Sequence, residues 1–516
     1  MEVALHNYSA GEPAIHRLVD DILAYIFLLN ATPGPPDPTS EDPPTVEHAT
    51  TVASSKVCTR WRSIAFNCRT IWSLIIDYRR HSLKWIEILL DRSSPSLLDF
   101  GNRVNNVHLR GFVDGGYWVD DGHWEGVLEL VFNHTERLRI FNLRVAGSRW
   151  ELLCSRFHCQ HLTSSLFNED SGHLTHPLFG NRAPNLQSLG LGRCSVDFAS
   201  FLLTFLAELY VDFTEANVHP TLLDWLTILG GMPSLRSVRL VRAISSGSPD
   251  HIFPVIHLGA LDMLDVHGSF HKCVTLVKQL IVPPRCGLKL RCNHAHAGFD
   301  QRQLWAIIEK KMDLWAKNAP YRRLNAVVSS YSVKVRNLPR EEGWEAKEVD
   351  PVMSISLNPL NSEEIVPLFH SLFALFERTF FDTTCLQLWI DDDLAEAEVL
   401  LPLADSFQGF VNLEKLNVGN DSLPKLLFPL LQYADSVLFP TLKSLCFFDI
   451  TFQYRSESIL RVVDFLQWRK EQGFPVQKIV IDRCRINRNY ILTHIQDTGL
   501  EISDSNDEDI EEEYIY

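Results

Sequence analysis

Three observations in this sequence predict an α/β fold. Apolar residues near the start are spaced as on short helices. A phrase of alternating apolar residues then recurs along most of the chain, and helical spacing returns in the intervals between phrases. The expected architecture is a small helical module followed by an irregular solenoid of strand–helix repeats. With 516 residues the chain is too long for one compact core. The expected boundaries are 1–78 for the helical module, 79–502 for the repeat array and 503–516 for an acidic tail.

The first 14 residues carry no clear pattern. Leu18, Ile22, Tyr25, Ile26 and Leu29 then fall at offsets 0, 4, 7, 8 and 11, which is one face of an α-helix. A proline-rich insert follows at 31–45, with six prolines between Pro33 and Pro44 and no apolar spacing. It reads as an extended linker rather than as a proline ligand for another domain. Beyond it, Ala53, Val57, Trp61, Ile64, Ala65 and Cys68 sit at 0, 4, 8, 11, 12 and 15, again one helix face. Two such short helices cannot bury themselves well alone, so they call for each other and for a partner. Trp85, Ile86, Leu89 and Leu90 mark a further helix, ended at Arg92-Ser93-Ser94-Pro95 because proline and the residue before it disfavour continuation.

In order, Leu18, Asp21, Ile22, Leu23, Ile26 and Phe27, then Val57, Cys58, Arg60, Trp61, Arg62, Ile64 and Ala65, then Trp72, resemble an F-box. The run Trp85, Leu89, Leu90, Arg92, Ser93, Pro95 resembles the segment that follows the F-box in fungal members. Val19 departs from the pattern, standing where the family usually has proline, and the insert at 31–45 matches the variable insert fungal members often carry. The resemblance covers about the first 100 residues. It implies docking onto a Skp-type adaptor and through it onto a cullin ubiquitin ligase. It also implies an adaptor-binding set of Leu18, Val19, Ile22, Leu23, Ile26, Phe27, Val57, Cys58, Trp61, Ile64 and Trp72.

The recurring phrase is L-x-x-L-x-L, often followed by x-x-C/N-x-L, which is the signature of a leucine-rich repeat. Leu186, Leu189, Leu191, Cys194 and Val196 fit all of it, as do Val476, Ile479, Ile481, Cys484 and Ile486. The shorter form starts at Val104, Leu138, Leu235, Leu261, Val352, Leu413 and Leu442, with faint candidates at Leu288-Lys289-Leu290 and Leu324. Alternating apolar residues give a strand with one buried face, and each unit buries that face against its neighbours. Helical spacing precedes two phrases, at Trp124, Val127, Leu128 and Val131 and at Leu222, Trp225, Leu226 and Leu229. The run from Phe198 to Phe213 reads as a buried helix.

Composition narrows the function. A net charge of −16 argues against general nucleic-acid binding. No uncharged apolar run reaches the length of a membrane span, and the start lacks a secretory signal. Eleven scattered cysteines then read as reduced thiols of a cytoplasmic or nuclear protein. Cys154, His158, Cys159 and His161, with His173 and His176, match no standard zinc spacing, and Cys292, His294 and His296 form a weaker cluster. Asp391, Asp392 and Asp393 read as a solvated loop, and no nucleotide, metalloprotease or nucleophile-elbow motif is present. The acidic run from Ser503 reads as a solvated tail. The sequence therefore predicts a non-catalytic substrate receptor with no cofactor and no metal site, no nucleic-acid or membrane partner, and an unidentified target protein. The alternatives are a repeat scaffold with the helices as its cap and, from another class, a zinc-dependent hydrolase.

Overall fold

The computed structural model describes residues 18–31, 48–78, 81–100, 121–144, 164–168, 183–192, 198, 201–213, 220–245, 253–295, 306, 309, 323–329, 332–338, 353–359, 365–379, 382–391, 407–420, 427–429, 431–432, 437–448, 450, 457–482, 484 and 500–504. The chain is mixed α/β and divides into two compact units, Met1–His219 and Pro220–Tyr516. The division falls inside the stretch expected as one repeat array. The zinc candidates Cys154, His158, Cys159, His161, His173, His176 and His296, the phrase at Val104, the insert beyond Ala31 and residues 505–516 lie outside the described residues.

The first unit opens with helices α1 (Asp20–Ala31), α2 (His48–Ser54), α3 (Thr59–Asn67), α4 (Arg69–Leu74), α5 (Leu83–Ser93) and α6 (Asp121–Phe132). Its strands are β1 (Leu98–Phe100), β2 (Leu138–Arg144), β3 (Ser164–Asn168), β4 (Ser188–Gly192) and β5 (Glu208–Asp212), which pair side by side in chain order and all parallel. Helix α5 stops where Pro95 predicts. Arg137, at the entry to β2, reaches back to it: its guanidinium donates to Leu90 O at 3.0 Å, Ser93 Oγ at 2.6 Å and Ser96 O at 2.9 Å. Burial pushes the Arg137 pKa below the ordinary arginine value, and the three acceptors offset that desolvation.

One helix expectation is corrected here. The run from Phe198 forms a single 3-10 turn, Phe201–Phe205, and then strand β5. Leu209, Val211 and Phe213 alternate inward, a period of two. A short, mostly apolar run does not distinguish helix from strand by periodicity, and pairing with the parallel edge of β4 decides it.

The second unit contains helices α7 (Leu222–Gly230), α8 (Phe270–Gln279), α9 (Ile365–Thr379) and α10 (Glu457–Glu471). Its strands are β6 (Ser237–Val241), β7 (Ile256–His257), β8 (Met263–Ser269), β9 (Leu280–Ile281), β10 (Gly287–Ala295), β11 (Arg323–Ser329), β12 (Ser332–Leu338), β13 (Met353–Pro359), β14 (Cys385–Ile390), β15 (Lys415–Gly419), β16 (Ser444–Phe448), β17 (Lys478–Asp482) and β18 (Glu501–Asp504). The strands β7 and β9 pair only with each other. The rest lie in the order β6-β8-β10-β13-β12-β11-β14-β15-β16-β17-β18. The strand β12 runs antiparallel to both neighbours, so the sheet is mixed rather than a uniform parallel stack. Ser503 and Asp504, expected in the tail, pair with Val480 and Ile481 as part of β18.

The recurring phrase has a recurring local structure in both units. Its first apolar residue closes a turn, with the N–H of Leu186, Leu235, Leu261, Leu413 and Leu442 bonded to the carbonyl three residues back. Two successive N–H groups at the next strand entry then share one carbonyl of the preceding unit. Ala207 and Glu208 bond to Gln187 O, Asp262 and Met263 to Arg236 O, Glu414 and Lys415 to Thr384 O, Lys443 and Ser444 to Glu414 O, and Gln477 and Lys478 to Lys443 O. These bonds set the register, so Leu416, Leu445 and Ile479 stack as in-register neighbours. All three are buried. Helix α7 forms where its spacing predicts, capped by Thr221 and Asp224 in a reciprocal box. Its Leu222, Trp225, Leu226 and Leu229 are all buried.

Candidate functional site

The N-terminal helices leave an apolar surface open. Helix α1 is apolar on nearly every side, with Asp20, Asp21 and Asn30 its polar residues. Its inner stripe, Leu23, Phe27 and Ala31, repeats at four-residue intervals and is buried against the neighbouring helices. The other stripe faces solvent: Val19 is 59% exposed, Ile22 46%, Tyr25 56% and Leu29 54%, with Val57 60% exposed on the turn before α3. A helix apolar all round is normally covered all round. Here one side has no cover among the described residues.

The buried side explains how that stripe is held. The Trp61 ring meets Phe27 edge-on with centroids 5.2 Å apart. Trp72 is buried, and its Nε1 donates to Ala65 O at 2.8 Å. Phe66 stacks on Trp72 at 5.5 Å, and the Arg92 guanidinium lies 5.0 Å from the centroid of each of those two rings. Arg60 ties α3 to the start of α1, donating to Asp20 Oδ1 through Nε at 2.9 Å and Nη2 at 2.7 Å, and to Leu18 O through Nη2. Val19 starts α1 through its carbonyl, which accepts from Ile22 N and Leu23 N. Its own N–H is not part of that ladder.

The second predicted helix is two. Helix α2 ends at Ser54, and the turn through Ser55 and Lys56 is closed by Lys56 N to Ala53 O at 2.8 Å and Ser55 Oγ to Val52 O at 2.7 Å. Adjacent serines compete for backbone carbonyls in this way and end helices. Cys58, in extended conformation, then caps α3, its Sγ accepting from Trp61 N at 3.4 Å. Ala53 and Val57 are therefore exposed, off the single face expected for 53–68. Burial raises the Cys68 thiol pKa, with a backbone hydrogen bond from Ile71 opposing it, so this thiol is not an activated nucleophile.

The eleven residues of the expected adaptor-binding set divide three ways. Val19, Ile22 and Val57 are exposed, and Leu18, Ile26, Cys58 and Trp61 are partly covered. Leu23, Phe27, Ile64 and Trp72 are interior, so a partner laid on the open stripe would not reach them. Tyr25 and Leu29, placed by sequence on the packing face of the helix, belong instead to the exposed stripe. The indole N–H of Trp61 is buried without an acceptor among the described residues.

Elsewhere, Cys292 lies on the buried face of β10 in hydrogen-bond contact with the Cys273 thiol. That bond and burial push its pKa well up. Among the described residues no group of three histidine, cysteine, aspartate or glutamate side chains is placed to hold a metal. No described helix is long and apolar enough to cross a membrane. No protein-family model matches this chain, and no curated protein matches it in sequence.

Proposed function

We propose that the chain is a substrate-receptor subunit of a Skp–cullin–F-box type ubiquitin ligase. In this reading α1 to α4 form the F-box, and the strands that carry the recurring phrase are irregular leucine-rich-repeat-like units that hold a target protein. The chain itself is not an enzyme, and other subunits supply the chemistry while this one supplies proximity. It works in the cytoplasm or nucleus, where the ligase operates.

One observation carries the reading: a helix apolar on nearly every side has only its inner stripe covered among the described residues, so that Val19, Ile22, Tyr25 and Leu29, and Val57 before α3, stay exposed. Apolar surface of this kind, held on a rigid helix, is what a protein partner desolvates. The adaptor contact set in this reading is that stripe, with Leu18, Ile26, Cys58 and Trp61 at its border.

A second reading has support of its own. Tyr78 meets Phe100 edge-on at 4.7 Å, Phe100 stacks on Phe141 at 5.5 Å, and Arg137 bonds to the end of α5. The helices following the module thus pack onto the first strands, as a cap of a scaffold would. The two readings use different sides of the helices, and one experiment separates them. Full-length chain and a Skp-type adaptor are co-expressed, with Ile22→Asp and Leu29→Asp as the variant pair. The ligase reading expects a complex with the wild type and at least about a hundredfold weaker binding by the double variant, the equivalent of about 2.7 kcal/mol, at an unchanged melting midpoint. A wild type that binds no adaptor hands the helices to the scaffold reading.

A further inference from the structure

Within the second unit, β8 and β10 pair in parallel, and α8 lies against both. Helix α8 turns Phe270, Cys273, Val274, Leu276 and Val277 inward, all of them buried. Beneath it, Leu264 pairs in register with Leu288, Val266 with Leu290 and Gly268 with Cys292. Most of this seam is aliphatic. At its C-terminal end the pattern changes to a glycine and two cysteines.

A Cβ at Gly268 would lie 3.6 Å from Cys273 Sγ. The helix thiol therefore rests over the strand next to Cys292, which is the register partner of Gly268. The two thiols are in hydrogen-bond contact, and Cys273 and Cys292 are 0% and 1% exposed. Both are free thiols. That bond and burial push the Cys292 pKa well up, which keeps the resting pair reduced and slow to react. A disulfide joins Cβ atoms about 3.5–4.5 Å apart, a geometry that side-chain rotation gives two thiols already in contact. A zinc ion wants four ligands, and among the described residues no third one joins this pair.

We propose that Cys273 and Cys292 are a redox pair, which a small hydroperoxide joins into a disulfide that fastens α8 to β10. Burial selects the oxidant, because a bulky disulfide reagent reaches neither sulfur unless the helix opens. One sulfur, as its thiolate, attacks a peroxide oxygen. The O–O bond breaks, hydroxide leaves and takes up a proton, and a sulfenic acid remains. The second sulfur attacks the first, the S–O bond breaks, and the hydroxyl leaves as water. In all, two thiols lose two protons and two electrons, and one hydrogen peroxide becomes two waters. The bridge closes a loop through β9 and so constrains the unfolded chain, which makes the oxidised form harder to unfold. The proposal goes beyond the receptor reading and does not rest on it.

The test exposes the folded full chain to hydrogen peroxide, blocks the remaining thiols with iodoacetamide in denaturant, and digests without reduction. Mass spectrometry should find the peptides of Cys273 and Cys292 joined, as the main linked species. The thermal midpoint should rise by several degrees and return to its starting value after dithiothreitol. Cys273→Ala and Cys292→Ala should each abolish both the link and the reversible rise. If an alanine variant melts early, Cys292→Val fills the seam with an apolar side chain, replaces it, and should behave the same way. Four outcomes overturn the proposal: no link in the folded chain, a link that forms only after unfolding in urea, either cysteine joined chiefly to another such as Cys286, or a link that leaves the midpoint unchanged. Adaptor binding enters none of these, so this proposal and the ligase reading fail separately.

Discussion

Two buried arginines show how single residues join elements that pattern alone cannot link. Arg137 caps α5 from the start of β2. Arg469 on α10 does the same for the turn before β16, donating to Leu438 O at 2.9 Å, Phe439 O at 3.0 Å and Phe474 O at 3.0 Å. In both, burial lowers the pKa, to about 10 for Arg469, and carbonyl acceptors hold the charged form in place. Replacing Arg137 by methionine keeps the length but takes the charged donor from three acceptors: Leu90 O keeps the Ser93 hydroxyl as donor, and Ser96 O is left without one among the described residues. Each buried acceptor left so costs about 1–3 kcal/mol, and the new apolar contacts recover only part of it. Arg137→Met should therefore destabilise the first unit by about 3 kcal/mol in urea unfolding. A loss near zero would mean that water replaces the guanidinium. Nothing in the sequence marked Arg137 or Arg469, because a lone arginine reads as a surface residue.

At the scale of elements, a two-residue period of buried apolar residues runs along strands that carry the phrase, as at Val238 and Leu240 on β6. Gly419 on β15 marks a place where the opposite face is tightly filled. A Cβ there would come 2.4 Å from Phe448 Cζ on β16 and 2.8 Å from Trp389 Cδ1 on β14. The glycine lets the two rings close over the strand. Gly419→Val should cost about 1–3 kcal/mol through overpacking, read as a lower denaturation midpoint. Phe448→Ala in the same chain should recover part of that loss. The last strand gives a second prediction at this scale. Ile502 pairs in register with Ile479, so Ile502 to Asp504 contribute ladder bonds to the sheet edge. Truncation after Asp504 should leave the thermal midpoint within error, because the remaining acidic composition cannot offset an ordering cost of about 1–2 kcal/mol per residue. Truncation after Glu501 should lower it by several degrees. Equal midpoints for the two truncations would remove β18 from the stable sheet.

For the whole molecule, each of the two units carries its own buried stack of the repeating phrase. Leu189 belongs to the first and Ile479 to the second, and both are 1% exposed. Leu189→Ala and Ile479→Ala should each cost about 2–5 kcal/mol, the transfer term plus a cavity. Limited proteolysis followed by mass spectrometry should place the new cuts of each variant in its own unit. Cuts spread evenly over both units in either variant would show that the chain unfolds as one body.

The sequence by itself determined the elements whose signal is local. Wherever the phrase L-x-x-L-x-L falls in described residues it is a strand with a buried face, because a period of two leaves the backbone one way to bury every second side chain. The spacing of Leu222, Trp225, Leu226 and Leu229 determined a helix in the same manner, and the structure adds its Thr221–Asp224 cap. Only the tertiary structure decided which of two apolar stripes of α1 is covered. Both stripes have helical spacing, and the choice of Leu23, Phe27 and Ala31 follows from where Trp61 and the other helices stand. It also decided that 208–212 is a strand and that β12 runs antiparallel between β13 and β11. The basic residues in register with Ser354 and Ser356 are a further case. Lys289, Arg291, Lys334 and Arg336 lie apart in sequence, on strands of alternating pattern. They become neighbours because β12 reverses direction and places its two cations across β13 from those of β10. Pairing partners in a sheet are set by hydrogen bonds between distant segments, and no local period encodes which segments those are.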